Sequence, residues 1–280
     1  MKRILVIIIS SIFLNSCSPK ITPTIISKQD PISDNAYILV LNKDDDFEND
    51  GIKIGTIKST DKGFSTHCSF DEIIEQYKKI CRENGANIIK INEHKVPDLK
   101  SSCDRIEATL YKVPNYKIHE NTIEWSKERK LTWLDFKRKP SSDITPFGAE
   151  TNCILALKSN TVSLISKPKI KVTNSFYCYE SWVKTKNLKN NVLLEHEQMH
   201  FDLSEIYARK LRKIISESKF NTFNLVKETN RLFYEYFDLN KERQILYDKE
   251  TKHGTDSLEQ KKWKKMIETE LQQLNEFAAN

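Results

Sequence analysis

No stretch of this chain is apolar for long enough to cross a membrane as a helix. The longest run, Ile4 to Leu14, falls well short of the ~20 residues that a bilayer core demands. A block of one charge sign is also missing. The 45 Lys and Arg and the 39 Asp and Glu are interspersed, leaving +6 overall. Without a dense basic patch, nucleic acid is not an expected partner, and the balance describes an ordinary solvated surface. The acidic stretch Lys43 to Asp50 lacks what a calcium loop needs. Asp46, Glu48, Asp50 and Gly51 open like an EF-hand, but the twelfth position is Ile57 and no helices flank it, so a solvated loop is expected.

What is present begins with Lys2 and Arg3, then the short apolar run, then Leu14-Asn15-Ser16-Cys17. Residues 1–16 read as a signal peptide. The four residues ending at Cys17 resemble a bacterial lipobox, which implies cleavage before Cys17, acylation of that cysteine, and a bacterial envelope location at the outer membrane or cell surface, with the membrane as a partner through the lipid anchor. Cleavage removes two positive charges, taking the net charge from +6 to +4. Of the six cysteines, lipidation of Cys17 leaves five, so at least one thiol stays unpaired. Export makes disulfides plausible. Cys68 and Cys103 stand at element ends and are expected to pair. A Cys153–Cys178 bridge across neighbouring strands is the second expectation.

Residues 17–35, with three prolines and no period, read as a tether. Residues 36–113 read as a small α/β module. In it Tyr37–Leu41 is a strand with Gly51–Ile57 as its hairpin partner, Phe64–Phe70 is a further strand, and Asp71–Asn84 is a helix stopped at Gly85. Ala86–Asn92 and Asp104–Lys112 complete the sheet. The helix stripe Ile73, Ile74, Tyr77, Ile80, Cys81 makes Cys81 a buried free thiol, while His67 and His94 read as surface residues. After a linker, residues 120–280 form a second domain. Trp125, Trp133 and Phe136 are core aromatics, strands are expected at Thr151–Leu157, Thr161–Ile165 and Ile170–Tyr179, and the remainder is helical. Those helices run from about residue 191 to Lys219, Asn221 to Asp248, and Ser257 to Phe277. The fold class is α+β, with an antiparallel sheet followed by a helical hairpin and a third helix.

The helix from Asn191 carries His196-Glu197-Gln198-Met199-His200, an HExxH sequence. Residues four apart share a helix face, so both imidazoles can reach one zinc ion, with Glu197 placed to take a proton from water at the open position. The two histidines continue the apolar stripe of Met199, Leu203 and Leu211, where unpartnered imidazoles would be costly to bury. Asp202 and Glu205 turn away and are excluded as ligands. If the next helix folds back through a turn near residues 219–222, residue n faces residue 441 minus n. His196 then lies opposite residue 245, and Tyr247–Gly254 arrives at the metal end. His253 is the expected third ligand, with Glu250 the runner-up. Asp248 would orient a ligand imidazole from behind, and Tyr247 would donate a hydrogen bond to a developing oxyanion.

The sequences LTWLDFK from Leu131, LLEHEQMHFDLSEIYARKLRK from Leu193 and YDKETKHG from Tyr247, the last followed by a Lys/Trp-rich helix, resemble a bacterial family of predicted secreted zinc-dependent proteases. The likeness covers roughly residues 120–280. It implies a zincin-like metallopeptidase acting on a protein or peptide, with His196 and His200 as ligands, Glu197 as base, and a third-ligand position compatible with His253. Arg138 departs from the small residue expected after that first motif and bears on a loop only. Two other readings stay open: a non-catalytic envelope lipoprotein with a structural or vestigial metal site, acting as a binding module, and hydrolysis of another amide such as a peptidoglycan cross-bridge.

Overall fold

The computed structural model describes residues 19–48, 51–61, 65, 67–140, 145–160, 169–220 and 224–279. The expected signal peptide, Cys17 and the strand Thr161–Ile165 lie outside them. The chain forms an α+β protein that divides into two compact units. One takes in the chain up to Pro114 without Asp45–Phe47, and the other takes in those three residues and Asn115 onward.

The first unit is a five-stranded sheet carrying one helix. Strands β1 (Lys20–Ile25), β2 (Leu39–Leu41), β3 (Ile52–Thr60), β4 (Ile88–Lys95) and β5 (Arg105–Lys112) lie in the order β1-β3-β5-β4-β2. The helix is α1 (Phe70–Glu83), opened by a capping box in which the Ser69 amide donates to Glu72 Oε2 at 2.9 Å. Its stripe Ile73, Ile74, Tyr77 and Cys81 packs on Ile54, Ile57, Ile89, Ile91, Ala108 and Leu110 of the sheet. The helix stops at Gly85, where φ is +72° and a Cβ would lie 2.5 Å from the Asp30 carbonyl oxygen. Cys68 and Cys103 are disulfide-bonded and tie the start of α1 to the start of β5.

Three expectations for this unit are corrected. Residues 17–35 are not simply a tether, because β1 pairs antiparallel with β3 along its whole length. Ile21 and Ile25 alternate inward onto the core, and Pro23 is tolerated because an edge strand leaves one side unpaired. The Tyr37–Leu41 strand does not form a hairpin with Gly51–Ile57. Instead β2 runs parallel to β4 at the opposite edge, where the adjacent Ile88 and Ile89 are both buried and so need cover on both faces. Phe64–Phe70 is not a strand among the described residues: Ser65 makes a single bridge and Phe70 already belongs to α1.

The second unit contains β6 (Thr122–Glu124), β7 (Ala149–Glu150), β8 (Cys153–Asn160), β9 (Lys169–Tyr177) and β10 (Trp182–Val183), followed by α2 (Asn191–Glu217), α3 (Leu225–Thr251) and α4 (Ser257–Gln273). A three-stranded antiparallel sheet has the order β6-β9-β8, and β7 pairs with β10. α2 is capped by the Asn190 side chain, which accepts from the Leu193 amide at 3.1 Å. One side of α2 packs on the sheet through Phe201, Ala208 and Leu211, and another packs on α3 and α4 through Met199, Leu203 and Ile206.

The Cys153–Cys178 bridge is not formed. Register sets Cys153 opposite Phe176 rather than opposite Cys178, and both cysteines are free. Burial pushes each thiol up to about 12, so neither is a reactive thiolate.

In the second unit, between β5 and β7 in the chain, lies a buried charge cluster. The Arg129 guanidinium, 1 % exposed, donates to Glu120 Oε2 at 2.5 and 3.0 Å and to both carboxylate oxygens of Asp135 at 2.6 and 3.2 Å. Asp135 in turn caps the short turn Trp133–Asp135 by accepting from the Thr132 amide at 2.6 Å. Truncating the cation leaves two buried carboxylates facing each other. Arg129→Met is therefore expected to cost about 3–5 kcal/mol in urea unfolding, far more than the loss of an exposed pair such as Arg231–Glu228.

Candidate metal centre

The site is built on the seam between α2 and α3. Ser204 accepts from Asn240 Nδ2 at 3.3 Å, His200 meets Gln244 one turn on, and His196 meets Asp248 one turn further. Residue n therefore faces residue 444 minus n, where the shortest turn predicts 441 minus n. α3 also runs one turn past the expected end at Asp248. The shift of nearly a turn puts Asp248 where residue 245 was expected, inside the helix and aimed at the imidazoles.

The consequence is a compact triangle of donors. His196 Nε2 and His200 Nε2 are 3.2 Å apart, and Asp248 Oδ1 lies 3.2 Å from the first and 3.0 Å from the second. An ion holding tetrahedral ligands at about 2.0–2.1 Å requires ligand-to-ligand edges of about 3.3 Å. Asp248 Oδ1 is buried yet not in hydrogen-bonding geometry with any described group, which fits three lone pairs directed at a common point rather than at one another. Two imidazoles and a carboxylate form a donor set suited to zinc. Burial alone would raise the Asp248 carboxyl, but the His196 and His200 rings beside it outweigh burial and hold it well below the usual carboxylate range. For His200 burial opposes protonation, and the Asp248 and Glu197 carboxylates override it, leaving the imidazole above its ordinary value.

Each imidazole is steered from behind by an amide. His200 Nδ1 donates to Gln244 Oε1 at 2.6 Å. The orientation of that amide is fixed because its Nε2 donates to the His200 carbonyl at 3.0 Å and to Asn240 Oδ1 at 3.2 Å. His196 Nδ1 faces Gln260 Oε1 of α4 at 3.4 Å, and the same ring stacks on Tyr247 with centroids 4.8 Å apart. With Nδ1 carrying the proton, each Nε2 presents a lone pair to the triangle. Gly254, at φ +77°, lets the turn after α3 pass directly over His196, because a Cβ there would lie 2.9 Å from the ring's Cγ.

Glu197, 4 % exposed, follows His196 on the helix and acts electrostatically on His200 and Tyr247. Gln198, between the histidines, accepts from the Leu131 amide at 2.8 Å and donates to Asp202 at 2.8 Å, which ties the first turns of α2 to the segment around Arg129.

Several expected roles change. His253 is not in the donor triangle: its side chain is 53 % exposed and its Nδ1 is 3.5 Å from Asp248 Oδ1. Asp248 stands in the triangle itself, where a place behind an imidazole was expected. Glu250 is committed elsewhere, accepting from Trp263 Nε1 at 2.8 Å. Tyr247 does not face the open side. Its hydroxyl is buried against Gln260 and the His196 carbonyl, and burial raises it far above a phenol's ordinary value, so it supports His196 rather than an oxyanion. Asp202, as expected, points away and accepts from Trp125 Nε1 at 2.7 Å. Gln244 and Gln260 were missed. The one available signal was Asn240, Gln244 and Asp248 at spacings of four, a polar stripe on a helix that needs an inward face.

Equilibrium dialysis with zinc should find about one ion per chain in the parent protein and in His253→Ala, and little in Asp248→Ala. Gln244→Ala and Gln260→Ala should each weaken zinc binding by about 10–100-fold without removing it, read by competition with a chromogenic chelator.

No family model, no curated protein and no solved structure matches the chain.

Proposed function

We propose that the chain is a zinc-dependent metallopeptidase that hydrolyses peptide bonds outside the cytoplasm. The observation that carries this reading is the donor triangle of His196, His200 and Asp248 with the Glu197 carboxylate beside it on the same helix. A closed structural site would use four protein ligands, whereas three leave a position for substrate and water. When bound there, zinc would polarise a carbonyl and acidify water.

The residues supply the rest. Glu197 accepts a proton from the attacking water as its oxygen bonds to the peptide carbonyl carbon. The carbon–nitrogen bond then breaks, and Glu197 returns the proton to the departing amine. His196 and His200 are kept in one tautomer by Gln260 and Gln244, so their lone pairs are arranged before substrate arrives. Asp248 brings the single negative charge among the three donors, and its place on α3 makes the closed helical hairpin a condition for the site.

Export and anchoring at the bacterial envelope through Cys17 belong to the same reading. They are supported by the Leu14-Asn15-Ser16-Cys17 sequence and accord with the Cys68–Cys103 bridge, which needs an oxidising compartment to persist.

Glu197→Gln is the decisive variant. It should bind zinc as the parent does and lose peptide cleavage by at least about 100-fold, as expected for removal of a general base. Equal turnover of a protein substrate by the two would refute the mechanism. A zinc-loaded parent that cleaves neither proteins nor peptidoglycan peptides would point to a binding lipoprotein instead.

A further inference from the structure

The rim of the donor triangle carries groups that neither the triangle nor the core uses. Phe147 leaves 45 % of its surface exposed. Gly148, the next residue, accepts through its carbonyl from the Lys184 amide at 2.9 Å and from Asn187 Nδ2 at 3.1 Å. A Cβ on Gly148 would come within 2.9 Å of Leu193 Cδ2, so the Phe147–Gly148 backbone lies against the first turn of α2. From there the Phe147 ring meets the ring of His253, with centroids 4.9 Å apart at 59°.

His253 sits at the centre of an unusual run. Lys252, His253 and Gly254 all have positive φ, at 50°, 53° and 77°. Left-handed backbone in two consecutive non-glycine residues costs free energy, and the surrounding contacts must hold it in place. The His253 amide donates to the Asp248 carbonyl at 2.9 Å, and Gly254 is packed on His196. The strained turn thus fixes an exposed imidazole beside the donor oxygen of Asp248 without making it a ligand.

Two elements therefore bring a phenyl ring and an imidazole together beside the metal-binding triangle. We propose that Phe147 and His253 form a substrate subsite that receives an apolar side chain next to the bond being cleaved. This rests on the metallopeptidase reading and names the substrate class for that site. The occupant follows from the rim's chemistry and its continuity with the triangle: a peptide carbonyl held at the triangle carries its neighbouring side chain onto these surfaces, and an apolar one gains by leaving water.

The test uses the zinc-loaded full chain and two probes, acetohydroxamate and N-acetyl-leucine hydroxamate, with dissociation constants measured by calorimetry. Both chelate the ion, and only the second has a side chain for the rim. The parent should bind the leucine compound about tenfold or more tightly than acetohydroxamate. Phe147→Ala should bring the two within about twofold while leaving acetohydroxamate and zinc binding unchanged, and Phe147→Leu should retain most of the preference. Equal affinity for the two probes in the parent, or a preference that survives Phe147→Ala, would each overturn the subsite while sparing the metal centre. If neither probe binds, the metal-centre reading fails and the subsite falls with it.

Discussion

Everything at the candidate site depends on one polar seam between two helices. Ser204 with Asn240, His200 with Gln244 and His196 with Asp248 are successive rungs between α2 and α3, each about a turn apart. Apolar packing tolerates sliding by a residue or two with modest loss. Hydrogen-bonded rungs such as the first two do not, because each slip leaves buried polar atoms unpaired. The rungs fix which residue of α3 meets the imidazoles, and with it the identity of the third donor. α4 closes the arrangement from the other side, with Gln260 reaching His196 and Trp263 reaching Tyr247.

Much of this was legible in the sequence, and the failures fall where physics predicts. HExxH placed two imidazoles and a carboxylate on one helix because helical periodicity is a local property. The α1 stripe and the stop at Gly85 were readable for the same reason. The residue that completes the triangle was not, because it depends on how two helices register across a turn, and a difference of three residues puts Asp248 beside the imidazoles. Apolar periodicity misled in α3 as well. Ile245 and Leu246 are both exposed, while Asn240 and Tyr247 are buried. A helix that serves a polar site turns its hydrophilic stripe inward, which is the reverse of the usual rule. In the sheet unit, the prolines around β1 concealed an edge strand. In the other unit, cysteine proximity in sequence said nothing of the register that keeps Cys153 and Cys178 apart.

The two halves of the second unit divide the work. The sheet and the Arg129 cluster hold the first turns of α2 through Gln198 and Leu131, on the side away from α3. The hairpin supplies Asp248, Gln244 and Gln260. Neither half alone assembles the three donors, so the integrity of the site reports on the packing of both.

The first strand has a consequence for how the protein would meet a bilayer. β1 begins at Lys20, so a lipid on Cys17 would be followed by only Ser18 and Pro19 before the chain enters the sheet. Even fully extended, such a leash reaches no more than about 10 Å, comparable to the thickness of the headgroup layer on one side of a membrane. An anchored molecule would then have its N-terminal sheet resting on the lipid surface, and its reach toward distant substrates would come from lateral diffusion rather than from a flexible stalk.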